Sequence, residues 1–116
     1  ETSCIGHMLL GAHRRGEKTV PAPPEVLASV KRHTSLPSTP FEERVGDNRW
    51  HVVLAIPPQA LFQHGLEAWS GLELRANLYK CGDNLSHPHF LSWRPIRTEK
   101  PNFHRPEFFD HVKLAK

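Results

Sequence analysis

Proline and glycine interrupt this chain too often for it to contain long helices. Eleven prolines and seven glycines are spread over 116 residues, and both residue types mark turns and end regular elements. We therefore expect short strands joined by turns rather than a helical bundle. A chain of this length can enclose one hydrophobic core but not two, so residues 1–116 are predicted to form a single domain.

The clearest strand pattern covers residues 72–81. By the strand period of two, one face carries Leu72, Leu74, Ala76 and Leu78, and the other carries Glu73, Arg75, Asn77, Tyr79 and Cys81. This alternation predicts a half-buried strand with an outer face that forms hydrogen bonds.

Several other segments predict shorter elements. We expect strands over residues 3–13, 50–56, 89–93 and 112–115, a helix over 24–30 and a helical turn over 58–64. Residues 50–56 are apolar on both alternating sides, which is typical of a strand covered on both faces.

Together these elements predict an all-β fold, an antiparallel sandwich with one or two short helices. Five strands are few for a closed sandwich. We therefore expect that N-terminal strands are missing, and that residues or a chain outside this sequence supply them.

Charge and hydrophobicity exclude two classes of partner. The net charge is +3, but lysines and arginines are scattered among acidic residues, whereas a nucleic-acid binder clusters them on one face. No apolar run approaches the roughly 18–20 residues that cross a membrane. The chain opens at Glu1 without the basic start and apolar stretch of a signal peptide, which indicates either a removed leader or an internal fragment.

The two cysteines, Cys4 and Cys81, leave two interpretations open. A long-range disulfide would fit an oxidising compartment. Two buried free thiols would behave as small hydrophobic residues. The cysteine count alone does not decide between them.

The polar face of the 72–81 strand is the first candidate site. Arg75 and Asn77 offer planar groups that suit the paired hydroxyls of a sugar. Trp93 lies at a predicted strand end, where its ring could stay accessible to the apolar C–H face of a sugar ring. The alternative is a solvated polar face with Trp93 in the core, since tryptophan is highly buried on average.

Histidines form a second candidate site. His87 and His89 share one strand face and His104 follows further on, so the three could hold a transition metal such as Zn²⁺. No carboxylate or thiolate stands at a convincing companion spacing, and hydrogen-bonded structural histidines are the alternative. Asp83 could offer an oxygen to Ca²⁺, but one carboxylate does not make a site.

Signals for catalysis are weak in this chain. The acidic residues lie mostly in predicted loops or turns, and no pair stands out as placed across a cleft, as glycoside hydrolysis requires. The chain has neither a glycine-rich phosphate loop nor a Gly-x-Ser-x-Gly sequence. The residues therefore do not indicate an enzyme.

Three segments carry a resemblance to a known family. They are residues 71–83 (GLELRANLYKCGD), 86–96 (SHPHFLSWRPI) and 103–109 (FHRPEFF). With the opening Cys4-Ile5-Gly6 and Ser35-Leu36-Pro37, they resemble the carbohydrate-binding module family 9-like domains of the Bacteroides-type branch. The resemblance covers nearly the whole chain. It departs at Leu78, where the family usually has phenylalanine, and in length, because family domains are considerably longer and have an N-terminal half that is absent here.

This resemblance implies a jelly-roll-like β-sandwich in a secreted, periplasmic or cell-surface bacterial protein. It implies an oligo- or polysaccharide ligand and structural Ca²⁺ ions nearby. Trp93 matches one of two tryptophans that sandwich a sugar, and the other would lie in the missing part. Arg75 and Asn77 match the polar strand beside it, Tyr79 and His89 are further candidate contacts, and Trp50 and Trp69 are expected to serve in packing.

Three functions are therefore compared. The first is a non-catalytic binding module of a glycan-utilisation protein, the second an accessory or catalytic domain of a glycoside hydrolase, and the third a structural or protein-interaction sandwich without a ligand. An exposed Trp93 beside Arg75 and Asn77 favours the first. A buried Trp93 with no pocket beside it favours the third.

Overall fold

The computed structural model describes residues 1–14 and 16–116. These residues form eight short strands, one α-helix and two 3₁₀ turns. The strands are β1 (Gly11–Ala12), β2 (Val20–Pro21), β3 (Lys31–Thr34), β4 (Val52–Ala55), β5 (Glu73–Ala76), β6 (Tyr79–Gly82), β7 (His89–Ser92) and β8 (Asp110–Lys113); the helix α1 is Pro24–Ser29, and the 3₁₀ turns are Pro58–Ala60 and Pro106–Phe108.

All four strand pairs are antiparallel, which confirms the predicted all-β class. The chain divides into two compact units, Glu1–Trp69 and Ser70–Lys116. In the first unit β1 pairs with β2 and β3 with β4, and in the second β5 pairs with β8 and β6 with β7. Among the described residues, no helix has the length and apolar character needed to cross a lipid bilayer.

The small core of the first unit lies between α1 and the 3₁₀ turn Pro58–Ala60. Pro24 starts the helix as predicted, because its fixed φ suits the first helical turn and its missing N–H costs nothing there. Val30, directly after the helix, and Ala60 in the turn are buried, and the two elements contact each other. The predicted helix and the helical turn are both confirmed.

Strand β4 is not covered on both faces, and that expectation is wrong. Val53 is 56% exposed, and Leu54 and Ile56 are also exposed. The reason is its pairing: β4 lies against β3 alone, and β3 presents Lys31, Arg32 and His33 beside it. Among the described residues of this unit, no second layer covers the apolar strand.

The predicted strand over residues 3–13 is also wrong over most of its length. The chain turns back at Gly6, whose φ of 85° suits glycine. This turn leaves one bridge between Thr2 and Met8 and the two-residue β1. The turn lies at residues 4–6, and the apolar centre that follows it makes isolated extended contacts rather than a continuous strand.

In the second unit, β5 and β8 form the sheet that the sequence alternation predicts. Leu74 faces Val112, and both are half-buried, whereas Glu73 faces Lys113 on the exposed side. The Lys113 Nζ to Glu73 Oε1 distance is 3.4 Å. The half-buried, half-polar prediction therefore holds from Glu73 to Ala76.

The strand does not continue to Cys81, as the sequence predicts, but breaks at Asn77. The Oδ1 atom of Asn77 accepts hydrogen bonds from the N–H groups of Leu78 and Arg94, both at 2.9 Å. Leu78 points outward and is 69% exposed, not buried as expected. The chain then enters β6 and pairs with a different strand, β7.

An aromatic cluster covers one face of the β6–β7 pair. Tyr79 stacks on Phe103 with ring centroids 4.5 Å apart, and Phe90 meets the same ring edge-on at 6.1 Å. Cys81 in β6 is an exposed free thiol, and Cys4 in the first unit is a half-buried free thiol.

Candidate functional site

Trp93 lies directly after β7 with its ring open to solvent. Its backbone N–H donates to the carbonyl of Leu78 at 2.9 Å, which fixes where the strand ends. The residue is 46% exposed. The described structure therefore does not place Trp93 in a core.

Arg94 covers part of that ring. Its guanidinium carbon lies 4.5 Å from the indole centroid, within the range of a cation–π contact. Its Nε atom is 2.7 Å from Asp110 Oδ2, so a carboxylate at the start of β8 holds the guanidinium in place. Trp93, Arg94 and Asp110 thus form one ordered group at the surface, which we call the Trp93 platform.

Asn77 and Arg75 hold the backbone beneath the platform. Besides accepting from Arg94 N–H, the Asn77 amide donates to the Arg94 carbonyl at 3.0 Å. The Nη2 atom of Arg75 donates to the carbonyl of Phe109 at 2.7 Å. Asn77 therefore positions Arg94, next to Trp93, and Arg75 positions the segment before Asp110, while a direct contact from either to a ligand stays a prediction.

A shallow groove of about 270 Å³ opens beside Arg94. It is lined by Arg94, Pro95, Arg97, Glu107, Phe108, Phe109 and Asp110. Aromatic faces, guanidinium groups and carboxylates therefore meet in one small depression, a combination of apolar surface with a few oriented polar groups that suits a polar organic ligand.

Both carboxylates of the groove are engaged by arginines. The Nη2 atom of Arg105 lies 2.6 Å from Glu107 Oε1, and Arg94 holds Asp110 as described above. Arg97 adds an exposed guanidinium to the lining. The groove therefore offers fixed donors and acceptors, which can bind hydroxyl groups without moving.

Tyr79 and His89, also predicted as contacts, do not line this groove. Burial raises the pKa of the Tyr79 phenol, and the hydroxyl has no hydrogen-bond partner in the described part of the chain. The side chain of Asn77 lies close enough to the Tyr79 hydroxyl for a hydrogen bond between them to oppose this rise in pKa. Because the Asn77 amide hydrogens already point to the Arg94 and Phe108 carbonyls, we regard the hydroxyl as unpaired.

His89 is occupied by protein groups at both ring nitrogens. Its Nδ1 atom lies 3.0 Å from the carbonyl of His87, and its Nε2 atom contacts Lys80 Nζ. A ring held in this way has no nitrogen left for a metal or a sugar unless one of these contacts opens. Sugar contact by His89 stays a prediction.

The candidate metal ligands are not gathered. Within residues 1–14 and 16–116, no group of three or more His, Cys, Asp or Glu side chains is placed to hold an ion. Asp83 lies exposed in the β6–β7 turn, and His87 and His104 are also exposed. Because Ca²⁺ takes six to eight oxygen ligands, the donors in these residues do not fit it.

Sequence reasoning did not select Arg94, Arg97 and Asp110 as candidate site residues. Arg94 follows Trp93 directly, but nothing in the local pattern shows its side chain folding back over the ring. Asp110 reaches it only because the β5–β8 register places Asp110 opposite Ala76, next to Asn77. Strand register, rather than any motif, carries that signal.

Comparisons with known proteins find a matching family and a matching solved structure. The model of carbohydrate-binding family 9 matches residues 1–114. A solved structure from Bacteroides uniformis, provisionally described as a carbohydrate-binding protein, is 45% identical with a TM-score of 0.90 and covers 97% of this chain. The match covers 51% of that protein, so the chain spans about half of its length. None of the curated proteins matches.

These matches confirm the resemblance that the sequence motifs indicated. The elements and their antiparallel pairing are consistent with a small all-β sandwich, the predicted fold class. Because the family model matches nearly every residue, the chain belongs to carbohydrate-binding family 9.

Proposed function

We propose that this chain binds an oligo- or polysaccharide at the Trp93 platform and does not cut it. The observation that carries the proposal is the exposed indole of Trp93, held at the end of β7 beside a polar groove. Family membership and the B. uniformis relative support a saccharide as the ligand.

The chemistry of the platform suits a sugar ring. The ring's axial C–H groups form an apolar face that can stack on the part of the indole that Arg94 leaves open, and burial of both surfaces favours binding. The neighbouring guanidinium and carboxylate of Arg94 and Asp110 are 2.7 Å apart. Such a pair offers donors and acceptors at a spacing that adjacent sugar hydroxyls can bridge.

Arg75 and Asn77 support binding by positioning the platform. The polar atoms of each side chain form hydrogen bonds with backbone carbonyls or N–H groups of the flanking segments. Their removal should therefore weaken binding by loosening Trp93 and Arg94, even if neither touches the sugar.

The proposed setting is a secreted, periplasmic or cell-surface glycan-utilisation protein, which the family and the Bacteroides relative support. A hydrolase is less well supported, because the two carboxylates of the groove are each held by an arginine. Hydrolysis needs one carboxyl group to give a proton and a second to act opposite it.

Replacing the tryptophan tests the proposal. A panel of soluble oligosaccharides is titrated by calorimetry into the chain, Trp93→Ala and Trp50→Ala. Trp50 is a matched control because it is 39% exposed but lies in the first unit. Loss of the stacking surface should cost about 1.5–3 kcal/mol, or roughly 10- to 150-fold in affinity, in Trp93→Ala only.

Two results would count against the proposal. If no oligosaccharide binds the chain, or if Trp93→Ala binds as tightly as the parent, the platform is not the site. Hydrolysis of aryl glycosides that disappears in Glu107→Gln would favour the hydrolase instead.

A further inference from the structure

Positive charge outweighs negative charge around the groove beside the Trp93 platform. Its lining and the side chains that bond to that lining include more guanidinium groups than carboxylates. The arginines are Arg75, Arg94, Arg97 and Arg105, and the carboxylates are those of Glu107 and Asp110. Because arginine stays protonated in proteins, the groove has a surplus of positive charge.

The two carboxylates of the groove are already engaged by the protein. One oxygen of Asp110 lies 2.7 Å from Arg94 Nε, and the other accepts the backbone N–H of His111 at 2.7 Å. The Oε1 atom of Glu107 lies 2.7 Å from Arg105 Nε and 2.6 Å from its Nη2. An incoming anion therefore meets carboxylates whose charge is offset by a neighbouring guanidinium, so they repel it little.

The surplus charge belongs to Arg75 and Arg97. Arg75 lies behind the groove wall and donates to the Phe109 carbonyl at 2.7 Å, a group that has no net charge to offset it. Arg97 is exposed in the lining, and within residues 1–14 and 16–116 its side chain has no hydrogen bond or ion pair. Glu99, two residues further on, does not line the groove. The lining therefore includes one guanidinium that no protein carboxylate holds.

We propose that this groove selects an anionic saccharide, whose carboxylate or sulfate group binds Arg97 while the sugar chain lies on the Trp93 platform. A guanidinium presents its N–H groups as a planar fork that matches two oxygens of one anionic group. Phe108 and Phe109 add apolar surface to the same lining, against which the ring that carries the anion can pack. The inference rests on the proposed function, because it names the class of sugar that the same site takes.

Matched oligosaccharides test the role of charge. Oligomers of galacturonate, glucuronate and mannuronate, their carboxyl-reduced neutral forms and O-sulfated versions of those neutral forms are titrated by calorimetry into the full chain. At an ionic strength of about 0.01 M, an anionic form should bind roughly two- to fivefold more tightly than its neutral partner, the range of an exposed ion pair. This preference should shrink at about 0.15 M, because salt screens exposed charges.

Substitutions at Arg97 test the residue itself. Arg97→Gln removes the charge, so the anionic and neutral forms should then bind with nearly equal affinity. Arg97→Lys keeps the charge but not the planar fork, so part of the preference and its salt dependence should remain. Arg49→Gln is the control, because it makes the same change in net charge at an exposed arginine of the first unit and should leave the preference unchanged.

The outcomes separate this inference from the proposed function. If neutral oligosaccharides bind as tightly as anionic ones and lose affinity in Trp93→Ala, the proposed function stands and this inference is overturned. A preference that survives Arg97→Gln, or that falls equally in Arg49→Gln, would also overturn it. If no oligosaccharide of either kind binds, both fail. Tighter binding of the carboxylate form alone, or of the sulfate form alone, supports the inference and identifies the source of the anion.

Discussion

Asn77→Ala should release the turn that carries the Trp93 platform. The substitution removes three hydrogen bonds of good length: the acceptor for the N–H groups of Leu78 and Arg94, at 2.9 Å each, and the donor to the Arg94 carbonyl at 3.0 Å. A hydrogen bond contributes about 1 kcal/mol net. The free energy of opening this turn should therefore fall by about 2–3 kcal/mol.

Hydrogen exchange measures that change where it occurs. A loss of 2–3 kcal/mol corresponds to roughly 30- to 150-fold faster exchange, expected at the Arg94 and Leu78 amides. The Leu114 amide, which donates to the Leu72 carbonyl at 2.9 Å, is an internal reference within the same unit. Its exchange rate should change by less than about threefold, which is smaller than the effect of losing one hydrogen bond.

A series at the same position separates the donor from the acceptor. Asn77→Asp keeps an acceptor for the two N–H groups but loses the donor, so its effect on Arg94 should be smaller than that of alanine. Asn84→Ala is the control, because no hydrogen bond of its side chain is found in the described part of the chain. Uniform acceleration across β5 and β8, or less than threefold at Arg94, would refute the positioning role.

Three further predictions concern neighbouring groups. Tyr79→Phe removes a buried hydroxyl without a partner, so stability at pH 7 should rise by about 1 kcal/mol, and a loss in urea unfolding would contradict this. Because burial raises the pKa of Tyr79 above 10.0 in the folded chain, the unfolded chain loses that proton first, and stability should fall as pH rises above 10; Tyr79→Phe should lessen this fall. Gly82→Ala would place a Cβ 2.8 Å from His89 Cε1. The free energy of unfolding measured in urea should therefore fall by about 1–3 kcal/mol. An unchanged unfolding midpoint would contradict this and mean that the imidazole moves freely. Asp110→Asn breaks the ion pair with Arg94, but both groups are nearly half-exposed, so the loss in stability should stay below about 1 kcal/mol and shrink with added salt; a loss above about 2 kcal/mol would contradict a surface pair.

Much of the second unit could be predicted from local patterns. Side-chain alternation located β5. The strand predicted over residues 89–93 matches β7 to within one residue. Trp93 was expected at a strand end beside a loop, and it lies there. These features depend on side-chain period and on proline positions, which the sequence shows directly.

What could not be predicted depends on which strands pair. The strand breaks at Asn77 because its side chain bonds to Arg94, which is far along the chain. Side-chain alternation alone gives no sign of this bond and predicts a continuous strand. The same applies to Asp110, whose place beside Arg94 follows from the β5–β8 register. Strand β4 has the apolar pattern of a buried strand but is exposed. The pattern of one strand does not show which other strands or layers pack against it.

The Asn77 side chain imitates a peptide group. Its amide gives one hydrogen bond to the Arg94 backbone and takes one from it, as a residue of an adjoining strand would in an antiparallel ladder. The chain can thus pass from one sheet to the other while the N–H and C=O groups of Arg94 keep their hydrogen bonds. Glutamine would reach one carbon too far and serine has no amide, so this corner tolerates little beyond asparagine, whereas the outward-facing Leu78 beside it can be exchanged for phenylalanine at little cost.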